Sequence, residues 1–216
     1  MQQSGIVVNH PSHSNNSDQG QRGAQRYSLL IRTAKLSCEI GEFLCVIRDV
    51  SATGVRLKLF HHLPADRHLA LELGNGEVYF VERVWERDGH AGFRFAGPID
   101  VQAFIAEVSP HPRRPVRLRT GVAASVSAQG LSADAVIRDL SQRGAGIETG
   151  RQLAKGQPVT LDAPGLPQLT ARVAWRNGRF YGLAFEKVFT LEELARLSVV
   201  LQMPDTRSPL RAASCA

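Results

Sequence analysis

The stretch IRDVSATGVRL at residues 47–57 returns as IRDLSQRGAGI at residues 137–147, with Ile, Arg, Asp, Ser and Gly at the same offsets. The ninety-residue offset extends well beyond this turn: Trp85 is answered by Trp175, Gly92 by Gly182 and Phe95 by Phe185. One offset kept through strand, turn and helix signals is the mark of an internal duplication. It restricts the chain to two copies of one small fold. A length of 216 residues suits that arrangement, since two domains of about 100 residues each can bury their own cores.

The pattern within each copy is β-rich. YSLLIRTAKLSC and FLCVIRDV are apolar, β-branched runs joined by the turn EIGE. VRLKLF alternates, with Val55, Leu57 and Leu59 on one face and Arg56 and Lys58 on the other. HLALEL and VYFVERVW follow, separated by the turn signal GNGE, and AGFRFAG alternates again. A short amphipathic helix then carries Val101, Phe104, Ile105 and Val108 at helical spacing, with Asp100 as its N-cap. The second copy answers with Thr190 and Glu193 as a capping box. Six or so antiparallel strands closed by one helix predict a mainly β fold, a small barrel in each copy. The prolines of VSPHPRRP break the first helix and mark the boundary. The expected organisation is a disordered arm over 1–21, barrels over 22–108 and 109–203, and a loose tail over 204–216.

The net charge of +6 favours anionic partners, and arginine outnumbers lysine, which favours bidentate contacts to phosphate or guanine. Cys38, Cys45 and Cys215 have no metal-ligand spacing and read as reduced thiols, although Cys38 and Cys45 flank a hairpin. The N-terminus carries no secretory pattern, and no apolar run is long enough to span a membrane. A cytoplasmic location is expected.

Asp-x-Ser-x-x-Gly places a carboxylate, a hydroxyl and a permissive backbone position in one turn. The residues are Asp49, Ser51 and Gly54 in the first copy and Asp139, Ser141 and Gly144 in the second. The glycine allows positive φ or close approach of a ligand to the backbone. The set suits a group with adjacent N–H donors, such as the N1–H and N2–H₂ edge of guanine. It also suits a plain Asx- or Ser-turn that closes a hairpin. Upstream of each turn lies an arginine pair with three residues between its members, Arg22 and Arg26 in RGAQR and Arg113 and Arg117 in RRPVR. Arginine forks hold guanine O6 and N7 or clamp phosphate oxygens, whereas such a pair alone reads as a solvated basic linker. Both elements, in both copies, fit a guanine nucleotide with several phosphates better than bulk nucleic acid. Arg114 adds a cation to the second pair, and Arg143 stands inside the second turn where the first has Thr53.

Arg-x-x-x-Arg followed about 20 residues later by Asp-x-Ser-x-x-Gly resembles the signature of the PilZ domain family. VERVWERDGHAGFRF and TARVAWRNGRFYGLAF are similar to the closing strands of that family. The resemblance covers residues 22–108 and 113–202. It implies two tandem six-stranded antiparallel barrels, each with a C-terminal helix, that bind cyclic di-GMP as ligand and need no other cofactor. It further implies that Arg22, Arg26, Asp49, Ser51 and Gly54 form one site and that Arg113, Arg114, Arg117, Asp139, Ser141, Arg143 and Gly144 form the other. Ligand is then expected to order the arginine arm and move the two barrels, regulating a downstream protein partner in motility, exopolysaccharide synthesis or a related output.

Two further readings stand beside it. One is a PilZ-like adaptor that binds nucleotide at one copy or none and works by protein contact. The other is a general nucleic-acid binder, disfavoured because exposed interleaved aromatics are lacking. An enzyme is not expected. His61 and His62 have no third ligand at metal spacing, and Ser51 and Ser141 lack the Gly-x-Ser-x-Gly setting of a nucleophile. Trp85 and Trp175 are expected in the barrel cores.

Overall fold

A computed structural model describes residues 27–106 and 115–202, with side chains from residue 32 onward. The expected arm at 1–21, the tail at 204–216, and Arg22, Arg26, Arg113 and Arg114 all lie outside the described residues. The first copy runs β1 (Tyr27–Ser37), β2 (Glu42–Val50), β3 (Gly54–Leu59), β4 (His68–Glu72), β5 (Val78–Arg87), β6 (His90–Phe95) and α1 (Val101–Ala106). The second runs β7 (Leu118–Ala128), β8 (Leu131–Ser141), β9 (Gly144–Thr149), β10 (Pro158–Asp162), β11 (Leu169–Asn177), β12 (Phe180–Phe185) and α2 (Leu191–Gln202).

Each copy is a closed antiparallel barrel, ordered β1-β2-β3-β6-β5-β4 in the first and β7-β8-β9-β12-β11-β10 in the second. The last and first strands close each ring through short pairings, Leu36 opposite Leu71 and Leu161 opposite Val126. Closure removes the exposed strand edges that would template aggregation. Alternation along β3 behaves as its sequence dictates: Val55, Leu57 and Leu59 are buried while Arg56 and Lys58 face outward. Both helix starts are capped as expected. Asp100 Oδ1 accepts from the backbone N–H of Gln102 at 2.8 Å and of Ala103 at 3.1 Å. Thr190 and Glu193 exchange reciprocal bonds of 2.8 and 3.1 Å. Cys38 and Cys45 are free thiols, and Cys45 stands opposite Ala34, not Cys38.

The tryptophans correct an expectation. Trp85 and Trp175 are 36% and 46% exposed and do not fill the cores. Register shifts at Arg83/Trp85 and Val173/Trp175 re-aim both side chains to the outer wall. Each indole lies over the glycine facing it: a Cβ on Gly92 or Gly182 would fall 2.1 or 2.0 Å from the indole nitrogen. The repeated Trp and Gly are therefore one packing pair.

The barrels share material. Leu44 of β2 is 1% exposed and belongs to the core cluster of the second barrel, and Phe60 packs against that cluster as well. Val199 of α2 packs in return against the core of the first barrel. Around these contacts lies a polar clasp. The Gln202 side chain donates to the Glu42 carbonyl at 2.6 Å and accepts from the Glu42 N–H at 2.5 Å. The Glu42 carboxylate accepts from the backbone N–H of Arg119 at 2.7 Å and pairs with Lys35 at 3.2 Å. Leu44→Ala is expected to destabilise the chain by about 2–5 kcal/mol, the usual cost of a large-to-small change in a packed core. Chemical denaturation checks this, and a loss near zero would show that the two barrels are not packed through Leu44.

Candidate functional site

The repeated turn is built from a bulge, a hydroxyl and a close strand approach. Pairing shifts register between Ile47 and Asp49, and again between Ile137 and Asp139. Ile47 and Ile137 are buried in their cores. Strict alternation would send the aspartate two residues later inward as well, and the bulge turns it out. The serine closes the turn: Ser141 Oγ donates to the Gly144 carbonyl at 3.0 Å, and Ser51 Oγ to the Gly54 carbonyl at 3.2 Å. The hydroxyls therefore shape the turn, as the hairpin reading of the motif requires. The glycines permit close strand approach. A Cβ on Gly144 would lie 2.0 Å from the Leu183 carbonyl, and one on Gly54 2.7 Å from that of Phe93.

The register lines up one row across each outer wall. In the second barrel it reads Asp139, Gly146, Gly182, Trp175. In the first it reads Asp49, Arg56, Gly92, Trp85. The rows differ at one position. The Asp139 carboxylate leans over Gly146, where a Cβ would sit 2.2 Å from Oδ2. Asp49 faces Arg56 instead, and Arg56 Nε donates to Asp49 Oδ2 at 2.6 Å. The carboxylate of the first barrel is thus held by its own strand neighbour and its side chain is 12% exposed, against 28% for Asp139. The difference between Arg56 and Gly146 is visible once the two copies are aligned. Its meaning depends on the pairing register, which the motif alone does not supply.

Asp139 is instead met by the arginine lead-in. Arg117 Nη1 donates to Asp139 Oδ1 at 2.5 Å, with the guanidinium side chain 51% exposed. An ion pair this wet contributes about 0–1 kcal/mol, so an incoming ligand can exchange it at little cost. The pair lies at a cleft of about 420 Å³ between the barrels. One wall is Pro115, Val116, Arg117, Arg119 and Asp139, and the other comes from Lys35 and the β4–β5 turn, Glu72 to Gly76. Lys35 is itself buried between Glu42 and Glu72, at 3.2 and 3.0 Å. The cleft falls within the ordinary range of small-molecule sites, roughly 300–1,000 Å³. The hollow beside Asp49 holds only about 160 Å³, with Arg56 among its walls.

Of the expected residues, the structure brings together Arg117 and Asp139, with Ser141 and Gly144 shaping the adjacent turn. Arg143 is exposed on that turn. Asp49, Ser51 and Gly54 form the same turn in the first barrel with Arg56 across from the carboxylate. Sequence reasoning missed Gly146 and the wall contributed by the first barrel. No helix among the described residues is long and apolar enough to cross a membrane.

Comparison with known proteins bears on the second barrel most directly. The family model described as the PilZ domain matches residues 111–200. No curated protein matches the chain. Among solved structures, the Borreliella burgdorferi PlzA protein in complex with c-di-GMP is 12% identical, with 84% of this chain and 94% of that chain covered and a TM-score of 0.32. The Bacillus subtilis inhibitor of motility, MotI/DgrA, is 11% identical, with 82% and 98% covered and a TM-score of 0.34. YcgR from Escherichia coli, in complex with c-di-GMP, is 12% identical, with 76% and 80% covered and a TM-score of 0.29. The matched span runs from the arginine lead-in through the bulged aspartate to α2, so it is the second barrel that is similar to the PilZ domain family.

Proposed function

We propose that the chain is a cyclic di-GMP receptor whose nucleotide site is the second barrel, with the signal passed on through the contact between the barrels to a protein partner. The observation that carries this reading is the Asp139 carboxylate, turned outward over Gly146 and gripping Arg117 at the mouth of a cleft. The PilZ match of the second barrel suggests the ligand, and PlzA and YcgR are solved in complex with c-di-GMP. The chemistry agrees with it. Asp139 offers acceptor oxygens to the N–H edge of a guanine, and Arg117, joined by Arg113 and Arg114 from outside the described residues, offers forked donors to phosphate and to O6 and N7. Ser141 and Gly144 hold the turn that aims Asp139, and Arg143 supplies a further cation beside it. No bond is made or broken, so the role is recognition without catalysis.

The first barrel is proposed not to bind in this way. Arg56 occupies the place that Gly146 leaves open, and it neutralises Asp49. A ligand there would have to displace a guanidinium that belongs to the barrel wall. The chain is thus a single-site receptor in which the first barrel walls the cleft.

The arm also offers a route for coupling. Arg117 grips Asp139, and two residues on the backbone N–H of Arg119 is bonded to Glu42 of the first barrel. Ligand that draws Arg117 off Asp139 pulls on that bond and on the clasp around Glu42. It thereby favours a different set of barrel orientations.

Calorimetric titration with cyclic di-GMP tests the site. Arg117→Ala and Asp139→Ala are each expected to weaken binding about ten- to a hundredfold, since losing a charged hydrogen-bond partner costs about 1.5–3 kcal/mol. Asp49→Ala is expected to leave binding unchanged, and absence of heat with the wild-type chain would refute the assignment. X-ray scattering tests the coupling: saturating nucleotide should change the radius of gyration, and superimposable curves would rule the movement out.

A further inference from the structure

The duplication supplies an internal control for every surface of the first barrel, and one face departs from its counterpart. Along the outer side of β5, Val78, Phe80 and Val84 are 50%, 69% and 63% exposed. The same positions of β11 and the residue before it hold Gln168, Thr170 and Ala174. These exposed apolar side chains are therefore no requirement of the barrel. Phe80 stands opposite Ala70 of β4 and borders Ala96, and together they floor a depression of about 740 Å³. In the second barrel the matching hollow carries Thr160, Thr170 and Glu186 in their places. Isolated exposed apolar residues are ordinary. Phe80 instead lies in a depression with Ala70 and Ala96 that is rimmed by charge, the composition of an interaction surface.

The rim indicates the occupant. Register places His68, Glu82 and Arg94 in one row across β4, β5 and β6, and Glu39, in the bend after β1, lines the same depression at its far side. Arg67, just before β4, and Arg94 of β6 share the single carboxylate of Glu82, which leaves guanidinium charge in excess along this row, with Arg94 at its β6 edge. Glu39 supplies a carboxylate at the β1 side. The face is thus positive at one end and negative at the other, with a large ring beside a small alanine at its centre. A two-fold axis lying in the interface, parallel to the strands and between β4 and β5, exchanges the two ends. Under that operation Glu39 meets Arg94 of the other copy, and Phe80 meets Ala70 of the other copy. An isologous contact requires such self-complementarity.

We propose that this face is where two copies of the chain associate, wall to wall, through Phe80 and the reciprocal Glu39–Arg94 pairs. Four strands at about 4.8 Å spacing by five residues at about 3.3 Å make a footprint of roughly 300 Å². A stable interface uses about 800 Å² per partner. The association is accordingly weak and concentration-dependent, and it leaves the cleft of the second barrel open.

Sedimentation equilibrium of the full chain without nucleotide, from micromolar to near-millimolar concentration, tests it. The wild type should move from 23.6 kDa toward twice that mass. Phe80→Thr, which installs the residue of the second barrel, should weaken association at least about tenfold, as expected of a central aromatic anchor. Glu39→Arg and Arg94→Glu should each stay monomeric alone and associate when mixed, because only the mixed pair restores both opposite-charge contacts. A wild-type chain that remains monomeric throughout overturns the proposal. Association undiminished by Phe80→Thr, or single charge variants that fail to pair on mixing, overturns it equally.

Discussion

Each barrel turns an aspartate outward on a β-bulge, and the residue facing it across the strand pair decides what that carboxylate can do. A carboxylate drawn partly out of water needs a cation or donors to hold it. In the first barrel Arg56 provides this from the neighbouring strand, at 2.6 Å, and the pair closes on itself. In the second barrel Gly146 provides nothing, and Asp139 takes its cation from the lead-in segment. The same turn is thus self-contained in one copy and dependent on a separate, exposed arm in the other. The first carboxylate takes its cation from a strand of the barrel wall, the second from a segment outside it.

The two barrels are also packed into one another. Leu44 is buried in the core of the neighbouring barrel, so the two units are not beads on a string. Glu42 gathers Lys35, the Arg119 backbone and the Gln202 side chain around one short segment. The lead-in, the first barrel and α2 therefore meet at Glu42, beside the proposed nucleotide cleft. Duplication here has kept the fold and divided the work. In the proposed reading one barrel holds the recognition chemistry, while the other supplies a wall of the cleft and an apolar face of its own.

Much of the fold was legible because its determinants are local. The offset between Trp85 and Trp175, the alternation of Val55, Leu57 and Leu59, and the caps at Asp100 and Thr190 each act within a few residues. The bulges were not legible: one extra residue in a ladder has no residue-type signature, so Trp85 and Trp175 were expected in the core and lie on the wall. Arg117 and Asp139 could be named from their motif, yet their pairing could not, because it depends on how the lead-in crosses β8. Gly146 stood in plain view within the repeated string, and its importance emerged only when register set it against Arg56. Leu44 reads as an ordinary apolar residue of β2, and nothing in its neighbours announces that it serves the other barrel.

The central claim, that an open glycine beside the bulged aspartate makes the second barrel the receptor, is tested most directly by giving that barrel the first one's residue. The first barrel shows that the fold closes with arginine at this position. Calorimetric titration of Gly146→Arg with cyclic di-GMP, on protein whose thermal unfolding is first shown to match the wild type, is therefore decisive. The account predicts a well-folded chain whose affinity falls by about a hundredfold, the loss expected when a charged hydrogen-bond partner of the ligand is both blocked and neutralised. Wild-type affinity in that variant would contradict it.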